Sequence, residues 1–279
     1  MNIHSIKAID VHGHFGDYLV RDSFYKKIMT GDLKTVSKRA KDAKTKITIV
    51  SPLEAFFPEP GDPIGANQKA LRIIKKRNNL MLWVVVDPKR PETFRQAEIF
   101  LKEGVCAGIK IHPLIHGYPI LKYGRRIFEF AARHCAIVQS HSGQKGCMPD
   151  DFVRFANNFP EVRIIISHLG CSDTTVLTLQ MDAIAKSRNN NLFTDTSSFR
   201  SIFPGFIEVA VKNIGADRIM YGTDTPLYFA PCQRARIDFA DIPDSDKLLI
   251  LRENAFKVFG QKLLGLYYKR GEFRRQERK

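Results

Sequence analysis

The chain has 279 residues, 44% of them hydrophobic, and a net charge of +15 at pH 7 from 44 basic and 29 acidic residues. It is long enough to bury one large core, and its charge favours anionic partners without specifying their kind. Its longest apolar run, residues 80–86, is too short to cross a membrane and no secretory signal opens the sequence, so a membrane protein is excluded and a soluble, cytoplasmic protein is predicted.

Short apolar and β-branched runs alternate with stretches of helical periodicity along the chain. Several of the runs are continuously apolar, as in strands that are buried on both faces of a parallel sheet. The eight predicted strands, in chain order, are residues 7–11, 46–50, 80–86, 107–111, 136–140, 162–167, 191–195 and 217–222.

Seven segments with helical patterns lie between or after these strands. In one of them Pro91 suits the first turn and Gly104 the end of the helix. The predicted helices are residues 65–79, 91–104, 125–134, 149–159, 173–187, 204–215 and 245–260. Three aromatic-containing segments are predicted to be loops, at residues 51–63, 115–119 and 227–237.

Eight strands that alternate with helices predict either a (β/α)₈ barrel or a large doubly wound sheet. A doubly wound nucleotide-binding sheet would carry a glycine-rich turn after its first strand, and no such motif is present. The last residues, 266–279, are strongly basic and are predicted to form a solvated tail.

His12 and His14 flank Gly13 at the end of the first predicted strand. Because alternate residues of a strand share a face, the two imidazoles face the same side, with Cα atoms roughly 6.6 Å apart. Gly13 has no side chain and lets a neighbouring segment approach closely on the other side. Two histidines in this arrangement can converge on one cation.

Other ionisable residues follow later strands in the same way. Lys110 and His112 follow the fourth strand, His141 the fifth, His168 the sixth and Asp224 the eighth. In a barrel, these strand ends meet at one rim, where catalytic groups gather. Any one of these residues has an ordinary explanation as a hydrogen-bonded loop residue. Together they do not, because each buried imidazole would need its own partner, whereas a shared cation satisfies several.

Histidine nitrogens and one carboxylate form a site suited to Zn²⁺, with Mn²⁺ or Fe²⁺ as alternatives. Such a cation lowers the pKa of a bound water toward neutrality. A ligating carboxylate can accept the water's proton through its second oxygen, and a histidine outside the ligand set can hold the water or stabilise a developing oxyanion. The pattern predicts a hydrolytic metal site.

The sequence resembles the amidohydrolase superfamily, specifically the amidohydrolase-related family 2 of metal-dependent hydrolases and decarboxylases. The motifs that carry the resemblance are DVHGH (10–14), GIKIHP (108–113), SHSG (140–143), SHLG (167–170), YGTDTP (221–226) and NAFKVFG (254–260). The resemblance implies an α/β protein with a single-domain (β/α)₈ TIM barrel over residues 1–265, followed by the basic tail at 266–279.

The resemblance also implies the roles of the rim residues. The metal ligands would be His12, His14, His141 and Asp224. His168 would be a catalytic residue outside the ligand set, and Asp224 would take part in catalysis as a proton acceptor as well as binding the metal.

Lys110 allows two interpretations. It corresponds in place to a lysine that is carbamylated in two-metal members, in which case His168 would bind the second metal. Alternatively, Lys110 and His112 bind an anionic group of the substrate, as the GIKIHP form of single-metal members suggests. One metal is favoured over two.

The resemblance leaves several functions open. The first is a metal-dependent hydrolase that cleaves a C–O or C–N bond of a small carbonyl compound, such as a lactone, ester or amide. The alternative is a nonoxidative decarboxylase of a small or aromatic carboxylic acid, in which Asp224 or His168 delivers the proton. A second alternative is a TatD-like metal-dependent deoxyribonuclease, although Lys110 replaces the glutamate expected there. A non-catalytic binding protein is a further possibility.

The expected partner is therefore a small, anionic molecule, whereas nucleic acid and membranes are disfavoured. The sequence leaves the oligomeric state open, and a homo-oligomer is compatible with it.

Overall fold

Eight parallel strands pair in chain order in a computed structural model, which describes residues 2–57 and 61–268. The strands are β1 (Ala8–Phe15), β2 (Thr45–Pro52), β3 (Leu80–Val85), β4 (Cys106–Ile111), β5 (Val138–Ser140), β6 (Ile164–Ile166), β7 (Leu192–Asp195) and β8 (Ile219–Met220). The backbone N–H of Val11 donates to the carbonyl of Tyr221 at 2.9 Å, and that of Asp224 to the carbonyl of His12 at 2.7 Å. These bonds join the last strand to the first, so the sheet closes into the predicted (β/α)₈ barrel.

Helices follow the strands and cover the outside of the barrel. They are α1 (Ser23–Met29), α2 (Leu33–Asp42), α3 (Pro63–Ile74), α4 (Pro91–Phe100), α5 (Pro113–His116), α6 (Ile120–Arg133), α7 (Val153–Asn158), α8 (Leu179–Lys186), α9 (Phe206–Ile214), α10 (Ala230–Asp238), α11 (Asp244–Leu248), α12 (Asn254–Phe259) and α13 (Gln261–Tyr267). Short 3₁₀ helices span Ile3–Ser5, Leu53–Ala55, Pro149–Phe152, Phe199–Ser201 and Ala216–Arg218, and a π-helical stretch spans Leu249–Glu253.

The interior of the barrel is divided into an apolar part and a polar part. Inward side chains from the early parts of the strands, such as Ile47 and Met81, pack against Phe259 and Leu263 of the last two helices. The polar part lies at the carboxyl ends of the strands.

A second core cluster fills the space between the strands and the outer helices, so the strands are buried on both faces. The continuous apolar runs of the sequence reflect this double burial.

The helices differ from the prediction in several places. Residues 173–178 are not helical, and α8 starts only at Leu179. In that stretch Thr174, Thr175 and Val176 are β-branched and disfavour a helix, and the Thr174 hydroxyl bonds locally to Ser172 at 2.8 Å. The predicted loop at 227–237 largely forms α10 instead. The helices α1 and α2 between the first two strands were not predicted.

No helix in the described part of the chain is long and apolar enough to span a membrane. Of the predicted basic tail at 266–279, only residues 266–268 belong to the described part, and Leu266 and Tyr267 are the last residues of α13.

The close packing of β1 gives a stability prediction for Gly13. A Cβ atom at this position would lie 2.6 Å from Cγ2 of Thr48 and 3.3 Å from Cγ2 of Thr225. We expect Gly13→Ala to lower the free energy of unfolding by about 1–3 kcal/mol, because the core must shift to admit the methyl group. Gly104→Ala is the control, since nothing lies within 4 Å of its Cβ position. Equal stability of the two variants in urea unfolding would contradict the prediction.

Candidate active site

A β-bulge in β1 aims the two histidines of the HGH motif into the barrel. Asp10 pairs with Thr48, but Gly13 pairs with Val50, so β1 contains one extra residue between these positions. The extra residue changes which side chains face inward. His12 and His14 consequently share the inward face, as the sequence predicted.

Both histidines meet the carboxylate of Asp224. His14 Nε2 lies 3.0 Å from Asp224 Oδ1, and His12 Nε2 lies 3.4 Å from the same oxygen. All three side chains are buried, and their ligand atoms lie within 4.8 Å of one another. The backbone of Asp224 is left-handed, with φ of 56°, a strained conformation that is held by its bond to the His12 carbonyl. These three side chains are called the site trio below.

The protonation states of the trio suit a divalent cation. Burial lowers the pKa of His14 to about 3, and Lys110 adds to the effect. Burial also lowers the pKa of His12. Neutral imidazoles carry the free lone pair that a cation needs. Burial raises the pKa of Asp224 to about 6, although His12 and Lys110 act in the opposite direction. Two neutral imidazoles and a carboxylate fit Zn²⁺ or Mn²⁺ as ligands.

Asp195, at the end of β7, is a site residue that the sequence analysis missed. It is fully buried, and its Oδ2 lies 3.0 Å from His12 Nδ1. Burial would raise the pKa of Asp195, but His12, His168 and the Ser197 hydroxyl together hold it below its usual range. The position could have been found by the rule that selected Asp224, because Asp195 is the last residue of the predicted strand 191–195 and therefore belongs to the same rim.

Lys110 lies beneath the cavity and is not among the residues that line it. Its Nζ lies 2.9 Å from His12 Nε2 and 3.0 Å from Gln139 Oε1. Burial lowers the pKa of Lys110 to about 8, while Asp195 and Asp224 raise it. The ammonium therefore donates to the His12 nitrogen that would bind a cation, and a bound cation would replace this hydrogen bond. A direct role of Lys110 in substrate binding stays a prediction.

The other three rim histidines line the same cavity as the trio. His141 and His112 stack with ring centroids 4.2 Å apart, and the His141 ring lies 4.8 Å from that of His168. His141 Nε2 is 2.6 Å from Gln144 Oε1, so the structure brings His141 to the cavity but not into the trio. Its assignment as a ligand stays a prediction.

His112 caps the short helix α5. Its Nδ1 accepts a hydrogen bond from the backbone N–H of Ile115 at 3.3 Å, and burial holds the pKa of His112 well below its usual range. The ring is therefore neutral, with its proton on Nε2. His112 can donate one hydrogen bond to an acceptor, such as a substrate oxygen.

The cavity has a volume of about 360 Å³ and opens at the carboxyl ends of the strands. The site trio forms part of its lining. Five aromatic side chains contribute to the rest of it: Tyr18, Phe56, Phe57, Phe199 and Tyr228. Arg200 also lines the cavity; its guanidinium bonds to the Ser172 carbonyl and lies 5.9 Å from the centre of the Phe199 ring. The cavity can thus hold a planar, anionic molecule of modest size.

Solved structures share this fold. The 2,6-dihydroxybenzoate decarboxylase from Rhizobium aligns with a TM-score of 0.69 and 14% identity, over 91% of this chain and 98% of that chain. A second similar structure is the 5-carboxyvanillate decarboxylase from Novosphingobium aromaticivorans, complexed with manganese and 4-hydroxy-3-methoxy-5-nitrobenzoic acid. It aligns with a TM-score of 0.69 and 15% identity, over 92% of this chain and 96% of that chain. A probable 2-pyrone-4,6-dicarboxylic acid hydrolase from Acinetobacter baumannii aligns with a TM-score of 0.65 and 16% identity, over 91% of this chain and 100% of that chain. At these identities the likeness concerns the fold.

A search of curated proteins finds no match. The profile of the family described as Amidohydrolase (Amidohydro_2) matches residues 58–261, which is well over half of the chain. The match includes the strand ends that carry His112, His141, His168 and Asp224, and it confirms the resemblance found in the sequence. The chain therefore belongs to the amidohydrolase-related family 2.

Proposed function

We propose that the protein is a metal-dependent, nonoxidative decarboxylase of a small aromatic carboxylic acid. The observation that carries this proposal is the cavity, which combines the site trio with aromatic walls and the guanidinium of Arg200. This arrangement suits a flat ring with acidic substituents. The two similar decarboxylases act on substrates of this kind, and they support decarboxylation over the hydrolysis that the sequence analysis placed first.

The trio would hold one divalent cation, with His141 proposed as a further ligand. When bound, the cation supplies a positive charge that orients the substrate's carboxylate and neighbouring oxygen. Mn²⁺ is the first choice, because the similar 5-carboxyvanillate decarboxylase contains manganese, and Zn²⁺ and Fe²⁺ are the alternatives.

The protein's own groups would then bind the ring and deliver a proton. Aromatic walls such as Phe57 and Phe199 contact the ring faces, and His112 and Arg200 donate hydrogen bonds to acidic substituents. When the bond between ring and carboxylate breaks, its electron pair stays on the ring carbon. Asp224 delivers the proton to that carbon through the oxygen that does not bind the cation, and His168, whose Nε2 would first take the proton of a substrate hydroxyl group, is the alternative.

A lactone hydrolase is the second candidate. Asp224 would accept a proton from water through the oxygen that does not bind the cation, and the probable pyrone hydrolase is similar in fold. The two activities differ in product, because a decarboxylase releases CO₂ and a hydrolase consumes water.

The test is a substrate screen on protein loaded with Mn²⁺ or Zn²⁺. The panel contains hydroxylated benzoic acids, the same compounds without the carboxyl group, and lactones, esters and amides of similar size. We expect CO₂ release from at least one of the acids. Opening of a lactone, with no CO₂ from any acid, would instead establish the hydrolase.

The raised pKa of Asp224 predicts how cation affinity depends on pH. Below about pH 6 the carboxyl is protonated and a cation must displace that proton, so affinity should fall about tenfold per pH unit. Above pH 6 the dependence should flatten, because His14 loses its proton already near pH 3. Titration of the metal-free protein with Mn²⁺ between pH 5 and 8 measures this. A constant affinity across that range would contradict the assignment of Asp224 as a ligand.

Arg200 is predicted to contribute binding rather than chemistry. Arg200→Ala should raise KM for an acidic aromatic substrate by roughly tenfold or more and leave kcat within a few-fold, because a charged hydrogen bond contributes about 1.5–3 kcal/mol. Arg188→Ala is the matched control, since Arg188 is exposed and precedes β7 at the opposite end of the barrel. A fall in kcat with KM unchanged would show that Arg200 has a different role.

A further inference from the structure

The carboxylate of Asp195 accepts hydrogen bonds on both of its oxygens. Oδ1 receives the backbone N–H groups of His168 and Ser197, each at 3.1 Å, and the Ser197 hydroxyl at 2.5 Å. Oδ2 receives Gln139 Nε2 at 3.3 Å and lies 3.0 Å from His12 Nδ1. An ionised carboxylate only accepts, so each of these neighbours must present a proton to it.

This requirement fixes the tautomer of His12. Its Nδ1 carries the proton, because that nitrogen faces Asp195. The other ring nitrogen, Nε2, faces the ammonium group of Lys110 at 2.9 Å, which can only donate. Asp224 Oδ1, at 3.4 Å, is the more distant neighbour of Nε2. The two shorter contacts, one on each side of the ring, thus agree that Nε2 has a free lone pair.

The same requirement also fixes the tautomer of His168, through the hydroxyl group of Ser197. The single hydroxyl proton of Ser197 points to Asp195, so the oxygen is left to accept. His168 Nδ1 lies 2.7 Å from that oxygen and must be the donor. His168 therefore also has its proton on Nδ1 and a free lone pair on Nε2. Its backbone is left-handed, with φ of 70°, and is held by the bond from its N–H to Asp195.

We propose that Asp195 is a positioning residue that fixes the Nδ1–H tautomers of His12 directly and of His168 through Ser197. His12 would then present Nε2 to the cation, and His168 would present Nε2 to a hydroxyl group of the substrate. The consequences for cation and substrate rest on the proposed function, whereas the tautomers themselves do not. A carboxylate that orients a ligating histidine in this way also strengthens it as a ligand.

The test is ¹⁵N NMR of the histidine side chains in the metal-free protein, with signals assigned from His12→Gln and His168→Gln. Three variants are compared with the unmodified protein: Asp195→Asn, Ser197→Ala and Asp10→Asn. Asp10 is the matched control, because it is a buried carboxylate whose side chain bonds to Thr223 and to the backbone of His12 but to no histidine ring. Cation affinity is measured by Mn²⁺ titration of the same four proteins.

We expect Nδ1–H tautomers for both rings in the unmodified protein and after Asp10→Asn. Ser197→Ala should alter only His168, because His12 Nδ1, which lies 3.1 Å from the Ser197 oxygen, keeps Asp195 as its partner at 3.0 Å. Asp195→Asn should alter both rings and weaken Mn²⁺ binding by about 10–100-fold, because the protons on His12 Nδ1 and on the Ser197 hydroxyl lose their ionised acceptor and both rings then populate a mixture of tautomers. Ser197→Ala keeps the experiment decisive if Asp195→Asn does not fold.

Two results would overturn the inference. One is an Nε2–H tautomer of either ring in the unmodified protein. The other is unchanged tautomers in folded Asp195→Asn or in Ser197→Ala. If the tautomers respond as expected but the unmodified protein binds no cation, the positioning role stands and the proposed function fails.

Discussion

Asp224→Asn is expected to lower turnover by roughly 10³-fold, the largest effect of any single substitution in this protein. The amide cannot hold or deliver a proton, and positioned proton transfer contributes about 10²–10⁴-fold to rate. The loss should appear in kcat, because the aromatic walls and Arg200 still bind the substrate. The measurement is steady-state kinetics on the substrate found by the screen, with the variant saturated with Mn²⁺.

Asp17→Asn provides the control for this experiment. Asp17 precedes the cavity-lining residue Tyr18 in the chain, but its own side chain is partly exposed and bonds to Lys26 and Thr30. We expect its kcat to stay within about threefold of the unmodified protein, as is usual for surface changes. If Asp224→Asn retained more than a tenth of the activity while binding Mn²⁺ normally, another group would have to supply the proton, and His168 would be the first to test.

The double variant His12→Ala/His14→Ala should lose its bound cation and its activity together. Removing both imidazoles leaves Asp224 as the last member of the site trio, and a single carboxylate does not hold a transition metal tightly. Elemental analysis should find about one metal per chain in the unmodified protein and less than a tenth of that in the variant.

His134→Ala is the matched control for the double variant, because its ring packs on Phe130 outside the cavity. It should keep both metal and activity. Two metals per chain in the unmodified protein would favour the carbamylated form of Lys110. A metal-free double variant with full activity would remove the cation from the mechanism.

Much of the site could be predicted from the sequence, because a parallel barrel brings every strand's carboxyl end to one rim. That rule predicts that His12, His14, His168 and Asp224 surround one cavity, and all four line it in the structure. His141 shows its limit: strand position brings the ring to the cavity, but its bond to Gln144 depends on the loop that follows β5.

Other features depend on three-dimensional contacts that the sequence does not display. The bulge in β1 is a matter of register against β2, so alternation alone cannot reveal it. The strand position of Asp195 places it at the rim, but its contact with His12 depends on how the first and seventh strands face each other across the barrel. In contrast, the start of α2 could have been predicted from the sequence, because Asp32 is a typical N-cap residue and its side chain accepts a hydrogen bond from the backbone N–H of Thr35.

The central claim is that a cation site within an aromatic-walled cavity removes a carboxyl group and replaces it with a proton. Its most direct test uses a carboxyl-¹³C-labelled hydroxybenzoic acid from the active set, incubated with the Mn²⁺-loaded protein in D₂O. We expect one ¹³CO₂ to be released for each substrate molecule consumed, with one deuterium on the carbon that carried the carboxyl group. Retention of the ¹³C label in a ring-opened or hydrolysed product would contradict it.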